Sequence, residues 1–145
     1  MRRGRAAASR SGSVGVLDAG VVLARLDRRR RGHAIVVELF ERSRHEQTRL
    51  YVSIVNLAEV LQHAREYTDA TGLDPVTLLA AYRVELHQPD VDVARRAARL
   101  ASLDDASLAD RFAVATADTL GARLFTTEAT LASHCARLKL PVTRV

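Results

Sequence analysis

"VGVLDAGVVLARL", Val14–Leu26, places one carboxylate, Asp18, in the middle of an aliphatic run. An ionised carboxylate is costly to bury unless something compensates it, so an acid between Leu17 and Val21 is either a turn or cap residue or part of a site. The valine-rich residues before Asp18 read as a short strand that ends there, and "VVLARL" after it reads as a short helix. A strand passing directly into a helix opens a βα unit. The fold is decided by whether that unit repeats.

Further along, a loop "DRRRRGH" leads into "AIVVELFERSRH", where Ile35, Leu39 and Phe40 recur at helical spacing. "LYVS" reads as a second strand, and Ser53 as the N-cap of a helix "IVNLAEVLQHAREY" with Ile54, Leu57, Ala58 and Leu61 as its buried stripe. "DPVTLLAAYR" is expected to be a helix capped by Asp74, with Pro75 at its first position. A third strand around "VELHQ" precedes a helix "VARRAARLAS" and another in "DASLADRFAVATADTLG", which stops at Gly121. "ARLFTT" is the fourth strand, "EATLASHCARL" a helix and "PVTRV" a fifth strand. Short strands alternating with helices predict a three-layer α/β/α sandwich with a mainly parallel sheet of about five strands.

The sequence has 145 residues, enough for one domain, and 48% of them are hydrophobic, enough for one core. Residues 1–13, basic and free of acids, read as a flexible tail, and 14–145 as the folded domain; a transit peptide would share the composition of that tail. No window is apolar enough to span a bilayer and no secretory signal is visible, so the expected setting is cytoplasmic, without membrane association. The single cysteine, Cys135, excludes an intramolecular disulfide and a multi-thiolate zinc site, which leaves packing as its expected role. The net charge of +5 permits a polyanionic partner. Lys139 is the only lysine, and arginine's planar fork suits phosphate, although codon usage in a GC-rich genome produces the same bias. Arg28, Arg29, Arg30 and Arg31 form the densest basic run, either a solvated loop or an RNA-contacting one.

In a doubly wound parallel sheet, ligands bind outside the carboxyl ends of the strands, at the switch point of strand order. Asp18 stands at such an end, with a helix N-cap as its purely structural alternative. Glu59 falls beside the buried stripe of its helix rather than opposite it, and alone it reads as a surface acid. Asp110 begins the helix of "SLADRF", where Ser107 and Asp110 also fit a capping box. Glu128 follows the fourth strand and also suits the first turn of the next helix. Asp104 or Asp105 reads as a cap and Asp118 as surface. Several carboxylates with no histidine or thiolate at ligand spacing define an oxygen-only site, which favours Mg²⁺ or Mn²⁺. Such ions position and acidify a water for phosphodiester hydrolysis without a protein nucleophile. No nucleophile elbow or phosphate-binding loop is present, and the five histidines form no cluster.

The segments "VLDAGVVLARL", "LYVSIVNLAEVLQHA" and "SLADRFAVATADTLGARLFTTE", in that order, resemble a PIN domain, and in particular the VapC-like ribonuclease toxins of type II toxin-antitoxin systems. The resemblance spans about Val14 to Val145 and is most specific in the third segment, through Asp110, Ala115 to Ala117, Gly121, Ala122, Thr126 and Glu128. It implies a Mg²⁺- or Mn²⁺-dependent endoribonuclease, with Asp18, Glu59 and Asp110 as catalytic and metal-binding acids and Glu128 at the fourth metal position. It also implies a homodimer and a cognate antitoxin that covers the acids. Two departures stand out. Glu128 replaces the family's usual aspartate, and Gly20 replaces a usual serine or threonine two residues after the first acid. Both keep open a second reading, a catalytically weakened PIN-like module that binds RNA or protein. A phosphoacceptor receiver domain fits poorly, because "VGV" rather than a pair of acids precedes Asp18, and Lys139 comes before the last strand.

Overall fold

The computed structural model describes residues 12–100 and 105–145. Along the chain run β1 (Ser13–Leu17), α1 (Ala19–Leu26), α2 (His33–Arg44), β2 (Thr48–Ser53), α3 (Ile54–Thr71), α4 (Pro75–Ala81), β3 (Glu85–His87), α5 (Val91–Arg99), α6 (Leu108–Leu120), β4 (Arg123–Thr126), α7 (Ala129–Arg137) and β5 (Val142–Arg144). The five strands form one sheet in the order β3-β2-β1-β4-β5, and every neighbouring pair is parallel. This is the α/β/α sandwich expected from the alternation of strands and helices. The basic segment 1–11, most of the expected tail, lies outside the described residues.

Strand alternation divides the core between the two faces of the sheet. Leu17, Leu50 and Val52 point to one face, where they meet Val21 and Val22 of α1, Val36 and Phe40 of α2, and Leu57 and Val60 of α3. Val16 and Leu124 point to the other and meet Ala113, Val114 and Ala117 of α6 with Leu131 and Cys135 of α7. Helix α5 packs outside α6 through Val93, Ala97 and Ala115. Burial drives the Cys135 thiol up to about 11, which makes it an inert packing group.

The local signals hold at most helix ends. Asp74 caps α4 by accepting from the Thr77 N–H at 3.1 Å, with Pro75 next in the chain. Gly121 ends α6 in the left-handed region at φ 59°, where a side chain would be strained. Two stripes differ from the expectation. Among the described side chains of α3, Asn56, Leu57, Val60 and Ala64 are buried, while Ile54, Ala58 and Leu61 are exposed. The helix is rolled so that the Asn56 amide faces inward, where its Nδ2 donates to the Ala109 carbonyl of α6 at 3.1 Å. In α2, Val36 replaces the exposed Ile35 in the stripe with Leu39 and Phe40. Ser107 rather than Asp105 caps α6, and Asp105 is exposed; Asp104 lies outside the described residues.

Gly15, in the middle of β1, is required by a close approach. A Cβ there would stand 2.7 Å from Phe125 Cε2 and 3.0 Å from Leu50 Cδ2. Gly15→Val is therefore expected to destabilise the fold by about 1–3 kcal/mol through overpacking, read as a lower urea midpoint at unchanged m-value.

Candidate active site

The chain leaves β1 for β2 and β3 on one side and returns to β4 and β5 on the other, so the switch point lies between β1 and β4. Leu17 pairs with Phe125, and the Asp18 N–H donates to the Phe125 carbonyl at 3.1 Å, which brings the ends of these two strands level. Asp18 follows β1 and Glu128 follows β4 by two residues. Both stand at the carboxyl edge of the sheet.

Asp18 is only 2% exposed, and both carboxylate oxygens are held. Oδ1 accepts from the Val21 N–H at 2.9 Å, so the residue does cap α1. Oδ2 accepts a hydrogen bond from the Thr126 hydroxyl, which itself accepts from the Glu128 N–H at 3.0 Å. The two readings of Asp18 are thus compatible: one oxygen caps a helix and the other ties β1 to β4. Burial pushes its pKa up to about 7, with further upward pressure from Glu128 and Asp110, against the lowering effect of the bonds from Thr126 and Val21.

Asp110 is 9% exposed and forms the reciprocal capping box expected from "SLAD". The Ser107 N–H donates to Asp110 Oδ2 and the Asp110 N–H donates to Ser107 Oγ, both at 3.1 Å. The bond from Asn56 to Ala109 fixes this first turn of α6 against α3, the helix that carries the half-buried Glu59. Glu128 occupies the N-cap position of α7, yet its carboxylate makes no capping bond. Its pKa is raised by burial and by the charges of Asp110 and Glu59. Of the four acids named from the sequence, Glu128 and Asp110 act on Asp18, and Asp110 and Glu59 act on Glu128.

None of the ion pairs among the described residues takes any of these four carboxylates. Three or more acids sharing one region without a cation is an uncompensated arrangement. The donor set is all oxygen, which fits a hard divalent ion. Among the described residues no three His, Cys, Asp or Glu side chains are already gathered into a cation cage, so the fit is one of donor chemistry and charge.

Asp110 and Glu128 line a small cleft with Asp105, Thr130 and His134, whose Nε2 is buried without a hydrogen-bond partner. Sequence reasoning passed over His134, and also Asn56, the buried amide three residues before Glu59 whose Oδ1 has no partner. An asparagine within "IVNLAEV" was the available signal for the latter. Asp118 is a surface residue, paired with Arg96 at 2.7 Å. Arg28 to Arg31 are exposed, and Arg29 pairs with Asp27 at 3.1 Å. The loop ends at Gly32, whose position for a Cβ lies 3.0 Å from the backbone of Val145; Val145 in turn donates its N–H to the Thr126 carbonyl at 2.9 Å. The arginine loop therefore ends at the sheet edge that carries Asp18 and Glu128. No described helix is long and apolar enough to cross a membrane.

The sequence pattern of the PIN domain family matches residues 15–136. No curated protein matches the chain. Among solved structures, the chain is similar to VapBC2 of Rickettsia felis, crystallised with a DNA fragment of its promoter, at 14% identity and a TM-score of 0.64, covering 90% of this chain and 98% of the other. It is similar to VapC20 of Mycobacterium tuberculosis, a toxin that cleaves the sarcin-ricin loop, at 14% identity and TM-score 0.61, covering 83% and 94%. It is also similar to the FitAcB structure of Neisseria gonorrhoeae at 18% identity and TM-score 0.61, covering 90% and 96%.

Because the folded pKa of Asp18 is raised from 3.8 to about 7, the metal-free native state binds a proton that the unfolded chain releases. Its contribution to stability is complete below about pH 4 and is lost as pH rises through about 7. Asp18→Asn is therefore expected to raise the stability of the metal-free protein at pH 7.5 by about 1–3 kcal/mol and to change it little at pH 4. Urea denaturation at both pH values in the presence of a chelator measures the difference.

Proposed function

Since the chain belongs to the PIN domain family, we propose that it is a divalent-cation-dependent endoribonuclease of the VapC type, the toxin of a toxin-antitoxin pair, neutralised by a cognate antitoxin. The observation that carries this reading is the group of four acids about the β1–β4 switch point: the pKa values of Asp18 and Glu128 are pushed up by burial and by the neighbouring acids, and none of the four takes part in an ion pair among the described residues. The likeness to VapC20 supports RNA as substrate and the VapBC2 likeness supports an antitoxin partner, while the homodimer rests on the family resemblance alone.

Asp18, Glu59, Asp110 and Glu128 are the residues that would hold Mg²⁺ or Mn²⁺. The ion supplies an acidified water and neutralises charge on the scissile phosphate. The chain supplies the rest. Thr126 and the Val21 N–H keep Asp18 in one orientation, and the capping box does the same for Asp110, so two of the acids need no reorganisation when substrate arrives. Without a cation, the four carboxylates repel the RNA backbone, so association at this edge and hydrolysis share one requirement. The Arg28–Arg31 loop offers phosphate contacts that position the RNA without reading its sequence.

A second reading is a catalytically weakened PIN-like module that binds RNA or protein. It is favoured by the longer acid at 128, by Gly20 in place of a hydroxyl, and by the lack of a preformed cation cage among the described residues.

Incubation of pooled RNA with the purified protein and Mg²⁺ or Mn²⁺ is expected to give cleavage that EDTA abolishes and that falls at least about 100-fold in Asp18→Asn and Asp110→Asn. Retained RNA binding without cation-dependent cleavage, across several RNAs, would establish the binding module instead. Replacing Arg28, Arg30 and Arg31 by glutamine is expected to weaken RNA binding and to reduce the slope of log K against log salt by about 2, with thermal stability unchanged. An unaltered slope would remove the loop from the RNA interface.

A further inference from the structure

Gly20 lies in the first turn of α1, where glycine costs about 0.5–1 kcal/mol relative to alanine. Its backbone does not repay that cost: the glycines at positive φ are Gly32, Gly72 and Gly121, and Gly20 is not among them. What requires glycine is space. A Cβ at position 20 would stand 2.3 Å from Thr127 Oγ1 and 3.5 Å from Thr127 Cβ, and 3.4 Å from Asp18 Oδ1. The Thr127 hydroxyl thus occupies the volume in which a side chain of residue 20 would begin, next to the Asp18 carboxylate.

The hydroxyl is placed there by its neighbours. Thr126 is tied to Asp18, and Glu128 to Thr126, so the backbone on both sides of Thr127 is held at the sheet edge. A β-branched side chain has few χ1 choices, which limits where Oγ1 can go. Thr127 is half-buried, and its hydroxyl makes no hydrogen bond with the described residues. A partly desolvated hydroxyl without a protein partner is available to a bound water or to the hydration shell of an ion.

We infer that Gly20 and Thr127 act as one unit of the acidic site: the absent side chain of Gly20 admits the Thr127 hydroxyl to the space beside Asp18, and that hydroxyl is a positioning group for the hydrated divalent cation and its water. This rests on the reading of the four acids as a cation site. It also gives the departure at position 20 a chemical meaning, because the hydroxyl missing from α1 is supplied from the β4–α7 turn.

The test is Mn²⁺ binding, measured calorimetrically without RNA, alongside cation-dependent RNA cleavage. Wild type, Asp18→Asn, Thr127→Ala, Gly20→Ala and the double variant Gly20→Ser with Thr127→Ala are compared. Thr127→Ala and Gly20→Ala, the second by turning the Thr127 hydroxyl away, are each expected to weaken Mn²⁺ binding about five- to tenfold. The double variant, which returns a hydroxyl from the helix side, is expected to recover to within about twofold of wild type. Should Thr127→Ala fail to fold, Gly20→Ala alone bears the test, since its only close contact is the end of the Thr127 side chain. Mn²⁺ binding that Asp18→Asn abolishes but Thr127→Ala and Gly20→Ala leave unchanged would overturn the pairing and leave the cation site standing. Absence of Mn²⁺ binding in wild type would overturn both.

Discussion

The hydrogen bond from the Thr126 hydroxyl to Asp18 Oδ2 is the contact on which the functional edge depends. It joins the ends of the two strands that flank the switch point. Through Oδ1 and the Val21 N–H the same carboxylate anchors α1, and through the Glu128 N–H the same threonine anchors the start of α7. One buried acid therefore fixes the relation of two strands and two helices. The cost is electrostatic, because a carboxylate so enclosed resists ionisation near neutral pH unless positive charge is brought to it.

That cost is compounded rather than relieved by the surroundings. Asp110 arrives on α6, Glu59 on α3 and Glu128 after β4, and none of the ion pairs among the described residues takes one of these acids. The Asn56 bond to Ala109 ties α3 to α6, and with them the elements carrying the second and third acids. Under the proposed function, stability and function are opposed here, because each acid favours a ligand that the fold alone does not provide.

Much of this was readable in the sequence, for identifiable reasons. Alternating strand and helix patterns gave all five strands and seven helices of the described residues, and Asp74, Ser107 and Gly121 marked helix ends because caps obey local chemistry. The four acids were found because each follows a strand or sits early in a helix. What escaped depends on tertiary placement. The roll of α3 is set by a polar contact from Asn56 across to α6, which no hydrophobic period encodes. The bond from Thr126 to Asp18 spans 108 residues, and the space at Gly20 is filled from the turn after β4, so neither could be read locally.

The same separation governs when the site exists at all. A chain emerging in order can pair β1 with β2 early, but β1 gains β4 only after residues 123–126 are free to dock, and Glu128 comes later still. Closing a loop of that length costs more conformational entropy than pairing β1 with β2. A chain that ends before residue 123 therefore carries Asp18, Glu59 and Asp110 without Thr126 and Glu128, which complete the acidic edge. Under the proposed toxin reading, the order of the strands keeps the acidic edge incomplete until the chain has been made through residue 128.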